Sequence, residues 1–187
     1  AEVIGNAWDI GEENSSVITF TARHDTLESM VIPLMRGTAS VKMLSLDSVG
    51  LAGILTLLDV SEYKDRVIGQ IDIGGEYTIF NVLKDGKLVY SRLIPFAGNS
   101  ISHAVADTLG IDVKLAEQKK IDLEIDVSED GRKAEKSEQF YKRNRIEKKD
   151  YAKVIKAVRG VFEDIASDIE RSVLSLPCTS PEFYFLS

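Results

Sequence analysis

The chain has 187 residues, a formal net charge of −7 and one cysteine, Cys178. The acidic balance excludes a general binder of phosphate backbones, which needs a basic surface. A single cysteine excludes a disulfide framework within the chain and suits a reducing cytoplasm. Apolar residues at 44% and charged residues at 28% suit a globular protein with a core. No apolar run approaches the roughly 18 residues of a spanning helix.

Residues 1–57 read as an α+β unit. Val17–Ala22 is a short strand of β-branched and aromatic residues. Asp25 is a helix N-cap, after which Leu27, Met30, Val31 and Leu34 recur at helical spacing until Gly37 stops the helix. Val41–Leu46 reads as a second strand, and Asp47 or Ser48 caps a helix over Val49–Leu58. The polar run 59–66 marks a boundary.

The most regular β pattern follows. Val67–Ile73, Tyr77–Leu83 and Lys87–Ile94 read as three strands. Asp85-Gly86 supplies the two-residue turn of a hairpin, since both positions tolerate positive φ. Pro95 and Gly98 then break the chain. Asn99 or Ser100 caps a helix through Ile101, Val105, Ala106 and Leu109, which Gly110 stops. A short helix covers Val113–Lys120. Residues 117–150 are densely charged, and the stretch near 127–139, almost without apolar groups, reads as a solvated, mobile loop. From Tyr151 on, Val154, Val158, Val161, Ile165, Ile169 and Val173 form one helical stripe that Pro177 ends. Phe183–Leu186 reads as a final strand.

The stretch that points to chemistry is IDIGGEYT, residues 71–78. Asp72 ends an apolar strand, Gly74 and Gly75 follow, and Thr78 opens the next strand. Glycines let backbone N–H groups approach an anion, and an aspartate at such a corner can hold Mg²⁺ through water. A tight turn that merely needs glycine is the plainer reading of so short a pattern. Downstream, Glu117 and Lys120 stand three apart on one helix face. They are either a surface ion pair, which contributes a few tenths of a kcal/mol, or a pair that contacts the ribose and base of a nucleotide. His24 and His103 have no ligand spacing, Trp8 reads as a packing residue, and Asp9-Ile10-Gly11 reads as a turn because acidic residues follow it. The run KRNRIEKKD over 142–150 reads as a solvated helix start.

The order of strand, IDIGGEYT, hairpin, RLIPFAG (92–98), helix, AEQKK (116–120), long helix and strand resembles the second lobe of the actin-like ATPase superfamily. The wording of residues 71–122 looks most like the PilM and GspL group of type IV pilus and type II secretion assemblies, with FtsA more distant. The resemblance implies an α/β, ribonuclease H-like lobe with a smaller α/β subdomain, and a piece of a longer two-lobed protein. It places residues 1–60 in the first lobe and 61–187 in the second. It implies a nucleotide-site remnant of Asp72, Gly74, Gly75, Thr78, Glu117 and Lys120, no catalytic or metal residues, and ATP with Mg²⁺ as the only cofactor to look for. Ala97-Gly98 stands where the group often has Gly-Gly. The implied role is a cytoplasmic scaffold at the bacterial inner membrane that links platform subunits to the motor ATPase, with homodimerisation left open and no nucleic acid bound. The rivals are an actin-fold ATPase or small-molecule kinase and an FtsA-like filament former.

Overall fold

The computed structural model describes residues 2–4, 19–36, 45–57, 65–123, 136–176 and 180–186. Strand β1 (Glu2–Ile4) pairs antiparallel with β2 (Phe20–Ala22). Sequence reading missed β1, for three residues are too few to show an alternation. Helix α1 (His24–Met35) follows. Its cap position is Arg23, not Asp25, and Arg23 contributes no side-chain cap. Asp25 lies in the first turn, where its carboxylate accepts from Arg23 and from the Thr26 N–H. Trp8, the Asp9-Ile10-Gly11 turn, the Gly37 stop, residues 41–44 of the second expected strand, Pro177 and Cys178 lie outside the described residues.

Helix α2 (Asp47–Leu57) starts two residues earlier than expected. Strands β3 (Val67–Ile73), β4 (Thr78–Lys84) and β5 (Lys87–Ile94) form an antiparallel meander. Asp85 and Gly86, with φ of 52° and 71°, make the turn between β4 and β5, as the Asp-Gly pair predicts. Tyr77 stays outside β4 because its carbonyl accepts from the Gly74 N–H. Strand β6 (Phe183–Leu186) joins β3 in parallel, which gives the sheet order β5-β4-β3-β6.

Alternation along the strands sends side chains to two helical layers. Ile68 and Leu83 face α2, where they pack with Ala52, Leu55, Leu88 and Phe185. Val67, Phe80, Val82 and Ile94 face the other way, toward the carboxyl-terminal part of helix α6 (Lys148–Leu174) with its Ile169 and Val173. The amino-terminal half of α6 builds a second core through Tyr151, Val154 and Val158. Its partners are helices α3 (Gly98–Leu109), α4 (Val113–Asp122) and α5 (Glu138–Asn144). Of the expected loop over 127–139, residues 127–135 lie outside the described residues, and Glu138 and Gln139 already belong to α5. Lys142–Asn144 likewise belong to α5, so only Lys148–Asp150 of that basic run open α6. Among the described residues no helix is long and apolar enough to cross a membrane.

Two buried polar side chains seat α2 on the sheet. Gln70 and Asn81 are register partners on β3 and β4. Gln70 Nε2 donates to the Leu51 carbonyl at 3.0 Å, and Asn81 Nδ2 donates to the Ser48 carbonyl at 2.9 Å and to Gln70 Oε1 at 3.3 Å. Asn81 is fully buried, and its Oδ1 has no hydrogen-bond partner. Replacing Asn81 by alanine removes two bonds but also an orphaned acceptor. Asn81→Ala is therefore expected to lower stability by about 1–2 kcal/mol, read from the midpoint of urea unfolding.

Candidate functional site: the two-glycine corner and its helix

The carboxyl end of β3 delivers Asp72, half-buried, to the corner. The Gly74 N–H closes the turn onto the Tyr77 carbonyl at 3.1 Å. A Cβ on Gly74 would stand 2.9 Å from that carbonyl oxygen, so the position demands glycine. Helix α3 then comes in end-on. Its Gly98 N–H donates to the Gly74 carbonyl at 3.0 Å, and its Asn99 N–H donates to the Gly75 carbonyl at 2.7 Å. These are two of the N–H groups that a helix start leaves without intrahelical acceptors. A Cβ on Gly98 would meet the Gly74 oxygen at 3.2 Å. The cap position is therefore Ala97, not Asn99 or Ser100. Ser100 lies in the first turn and accepts from the Ala97 N–H at 3.3 Å.

Thr78 is fully buried, and its hydroxyl donates to the Phe96 carbonyl at 2.6 Å. Its one proton thus ties β4 to the segment that leads into α3. The α4 pair is built around the same helix start. Lys120 Nζ donates to Glu117 Oε2 at 2.8 Å, to Ser102 Oγ at 3.1 Å and to the Gly98 carbonyl at 3.3 Å. Ser102, on α3, is buried, and its single hydroxyl proton has both Glu117 Oε2 and the Gly98 carbonyl within hydrogen-bond reach. An ammonium has three N–H donors, and each finds an acceptor here. Glu117 Oε2 takes both partners, while its side chain is 49% exposed. Hydrogen bonds from Lys120 and then from Ser102 hold the Glu117 carboxyl below the usual glutamate range.

The structure thus gathers Gly74, Gly75, Glu117 and Lys120 around the Gly98 peptide, with Asp72 and Thr78 on the strands that carry the corner. Sequence reading missed Ser102, and it noted Gly98 as a breaker and as half of the Ala97-Gly98 pair but not as a site residue. The signal available was their spacing of four on a helix that follows a glycine corner. Gly75 is the open position: a Cβ there would meet nothing within 4 Å. An anion approaching the corner has room at Gly75, whereas the protons of Thr78 and Lys120 are engaged inside the protein. Among the described residues no three His, Cys, Asp or Glu side chains gather into a metal site. His103 is exposed on α3.

Two outcomes follow from this geometry. Gly75→Ala is expected to change stability by no more than about 0.5 kcal/mol. Gly74→Ala is expected to cost about 1–3 kcal/mol through overpacking against backbone, both measured by denaturant unfolding. The depressed Glu117 carboxyl gives the second. Its stabilisation is complete above the ordinary glutamate value of about 4.3 and is lost as pH falls through the lower value of the folded state. Glu117→Gln should therefore reduce the acid-limb slope of stability against pH. Asp25 and Asp150, also depressed by their partners Arg23 and Lys153, keep the remainder.

Comparison with known proteins places this geometry. The family model described as type IV pilus assembly protein PilM matches residues 2–130. No curated protein is matched. Among solved structures, a chain of a PilM–PilN type IV pilus biogenesis complex is similar at 24% identity and a TM-score of 0.55, over 84% of this chain and 39% of that one. MreB5 of Spiroplasma citri bound to ADP aligns at 14% identity and a TM-score of 0.58, over 83% of this chain and 49% of that one. The same protein bound to AMPPNP aligns at 15% identity and a TM-score of 0.61, with the same coverage. The chain therefore spans less than half the length of these structures, and the likeness fixes the fold as actin-like. With the family model covering 129 of 187 residues (2 to 130 inclusive), the chain belongs to the PilM family of type IV pilus assembly proteins.

Proposed function

We propose that this chain is part of an actin-fold scaffold that joins inner-membrane platform subunits of the pilus machine to its cytoplasmic motor ATPase. The observation that carries the reading is the PilM family match across residues 2–130. In the similar solved complex PilM is held together with PilN, and by analogy a platform subunit of the PilN kind is the first partner to test here. The type II secretion counterpart is the second setting for the same role. The division into a first-lobe unit, residues 1–60, and a second lobe, residues 61–187, belongs to this proposal, as does a place on the cytoplasmic face of the inner membrane.

Nucleotide enters this reading as a ligand of the corner and not as fuel for a reaction on this chain. Gly75 offers an approach for a phosphate, and Glu117 presents a half-exposed carboxylate that can accept from sugar hydroxyls. Asp72 stands at the strand end where a hydrated Mg²⁺ would be held. Bound ATP with Mg²⁺ would supply a charged group that both lobes of an actin fold can grip. What the chain's own residues do is shape the corner and orient Glu117.

The net charge of −7 favours partners with a basic surface, whose association weakens with salt. The test is a pull-down of the full-length protein against platform subunits and the motor ATPase of a pilus machine from the same organism, repeated at low and high salt. Capture of both, weaker at high salt, is the expected result. Capture of neither, together with phosphate transfer from ATP by the full-length protein, would replace the scaffold by an enzyme.

A further inference from the structure

One peptide group, between Gly98 and Asn99, stands between the corner and α4. Its N–H, on Asn99, donates to the Gly75 carbonyl at 2.7 Å. Its C=O, on Gly98, lies 3.3 Å from Lys120 Nζ and 3.0 Å from Ser102 Oγ. The C–N bond of a peptide is conjugated, so charge drawn toward the oxygen leaves the N–H a better donor. Hydrogen bonds in such a chain strengthen one another, the more so away from bulk water. The Lys120 side chain is only 22% exposed and Ser102 is buried. A cation on the oxygen side and a carbonyl on the N–H side are thus coupled through four atoms of one plane.

The rest of the ammonium's surroundings point the same way. A positive charge beside the amino end of a helix is opposed by the helix dipole. Lys120 stands at the start of α3 nonetheless, with the Glu117 carboxylate at 2.8 Å as its counter-charge. Ser102 holds that carboxylate from α3. All three ammonium donors are in use, and all three acceptors belong to the frame of the corner.

We propose that Lys120 is a positioning residue which, through the Gly98–Asn99 peptide, sets the strength of the Asn99–Gly75 hydrogen bond and so holds the two-glycine corner on α3. The proposal deepens the reading of the corner as a nucleotide-site remnant, but the bond it describes exists without a ligand.

The test is amide hydrogen exchange, residue by residue, in the full-length protein without nucleotide. Lys120→Met keeps an aliphatic side chain of similar length and removes the charge. Exchange at Asn99 should accelerate by about tenfold, while Phe80 in β4 and Ile111 beyond α3 stay as they are. Lys120→Arg, which keeps the charge, should leave Asn99 slow. Ser102→Ala, which removes the hydroxyl that accepts from Lys120 and so unseats the ammonium, should accelerate Asn99 in the same selective way. An unchanged Asn99 in both Lys120→Met and Ser102→Ala overturns the proposal. So does a uniform acceleration at Asn99, Phe80 and Ile111, which is loss of global stability. Calorimetry with Mg-ATP on the same proteins separates the readings. If Lys120→Met loses nucleotide binding with Asn99 exchange unaltered, Lys120 touches the ligand directly and the proposal falls. If neither protein binds Mg-ATP, the nucleotide reading fails, and the exchange at Asn99 still decides the proposal.

Discussion

The fold turns on the approach of one helix end to one turn. The start of α3 needs acceptors for N–H groups that the helix itself cannot satisfy. The Gly74-Gly75 turn has two carbonyls that its strands do not use, and it gives them to Gly98 and Asn99. A Cβ on Gly74 would press on the Tyr77 carbonyl that closes the turn, and one on Gly98 would crowd the Gly74 carbonyl, so glycine suits both positions. Once α3 is aimed by that contact, the rest follows from it. Gly110, at φ 64°, ends α3 in the left-handed conformation that lets the chain reverse into α4. The Asp112 side chain caps α4 through the Lys114 N–H, and α3 and α4 together present Val105, Ala106 and Ala116 to α6.

Polar groups within the helical layers set orientation where apolar packing alone would allow sliding. On one face Gln70 and Asn81 fix the start of α2. On the other, Arg92 of β5 reaches α6, where it donates to Asp168 Oδ1 and to Ser172 Oγ at 3.0 Å each. Asp168 also accepts from Arg171 at 2.9 Å, and Ser172 donates back to the Asp168 carbonyl. A carboxylate buried against a sheet needs such partners, since an unpaired one would cost several kcal/mol. The long helix therefore cannot rotate about its axis without breaking a charged pair. A third tie joins α4 to α5: Lys119 Nζ donates to the Asn144 carbonyl at the end of α5, where Arg145 takes a left-handed φ of 48°.

Much of this was legible in the chain. Strands β3 and β5 have the bounds that alternation and the Asp85-Gly86 turn predict, and the Val154–Val173 stripe of α6 lies against two cores as its period requires. Long, periodic elements announce themselves because every turn or pair repeats the signal. What stayed hidden depends on contacts between distant segments. Ala97 carries no capping side chain, so nothing local marks it as a helix start; the carbonyls that make it one come from residues 74 and 75. Asp168 and Ser172 interrupt an apolar stripe and look solvent-facing until Arg92 is placed beside them. Helix α5, of seven residues, is too short for a period to show, and its run of charges suggested solvent instead.

The pair Glu117 and Lys120 shows why residue types at a given spacing do not fix a role. In sequence they are equally a surface ion pair and a nucleoside contact. The structure adds Ser102 and the Gly98 carbonyl, and the meaning of the lysine changes: its donors are consumed by the protein before any ligand arrives. The glutamate differs, because one oxygen carries both internal bonds and leaves the other with acceptor capacity on a half-exposed side chain. Two residues that a shared motif treats alike are thus divided by geometry, one turned inward to hold the corner and one turned outward with a free oxygen.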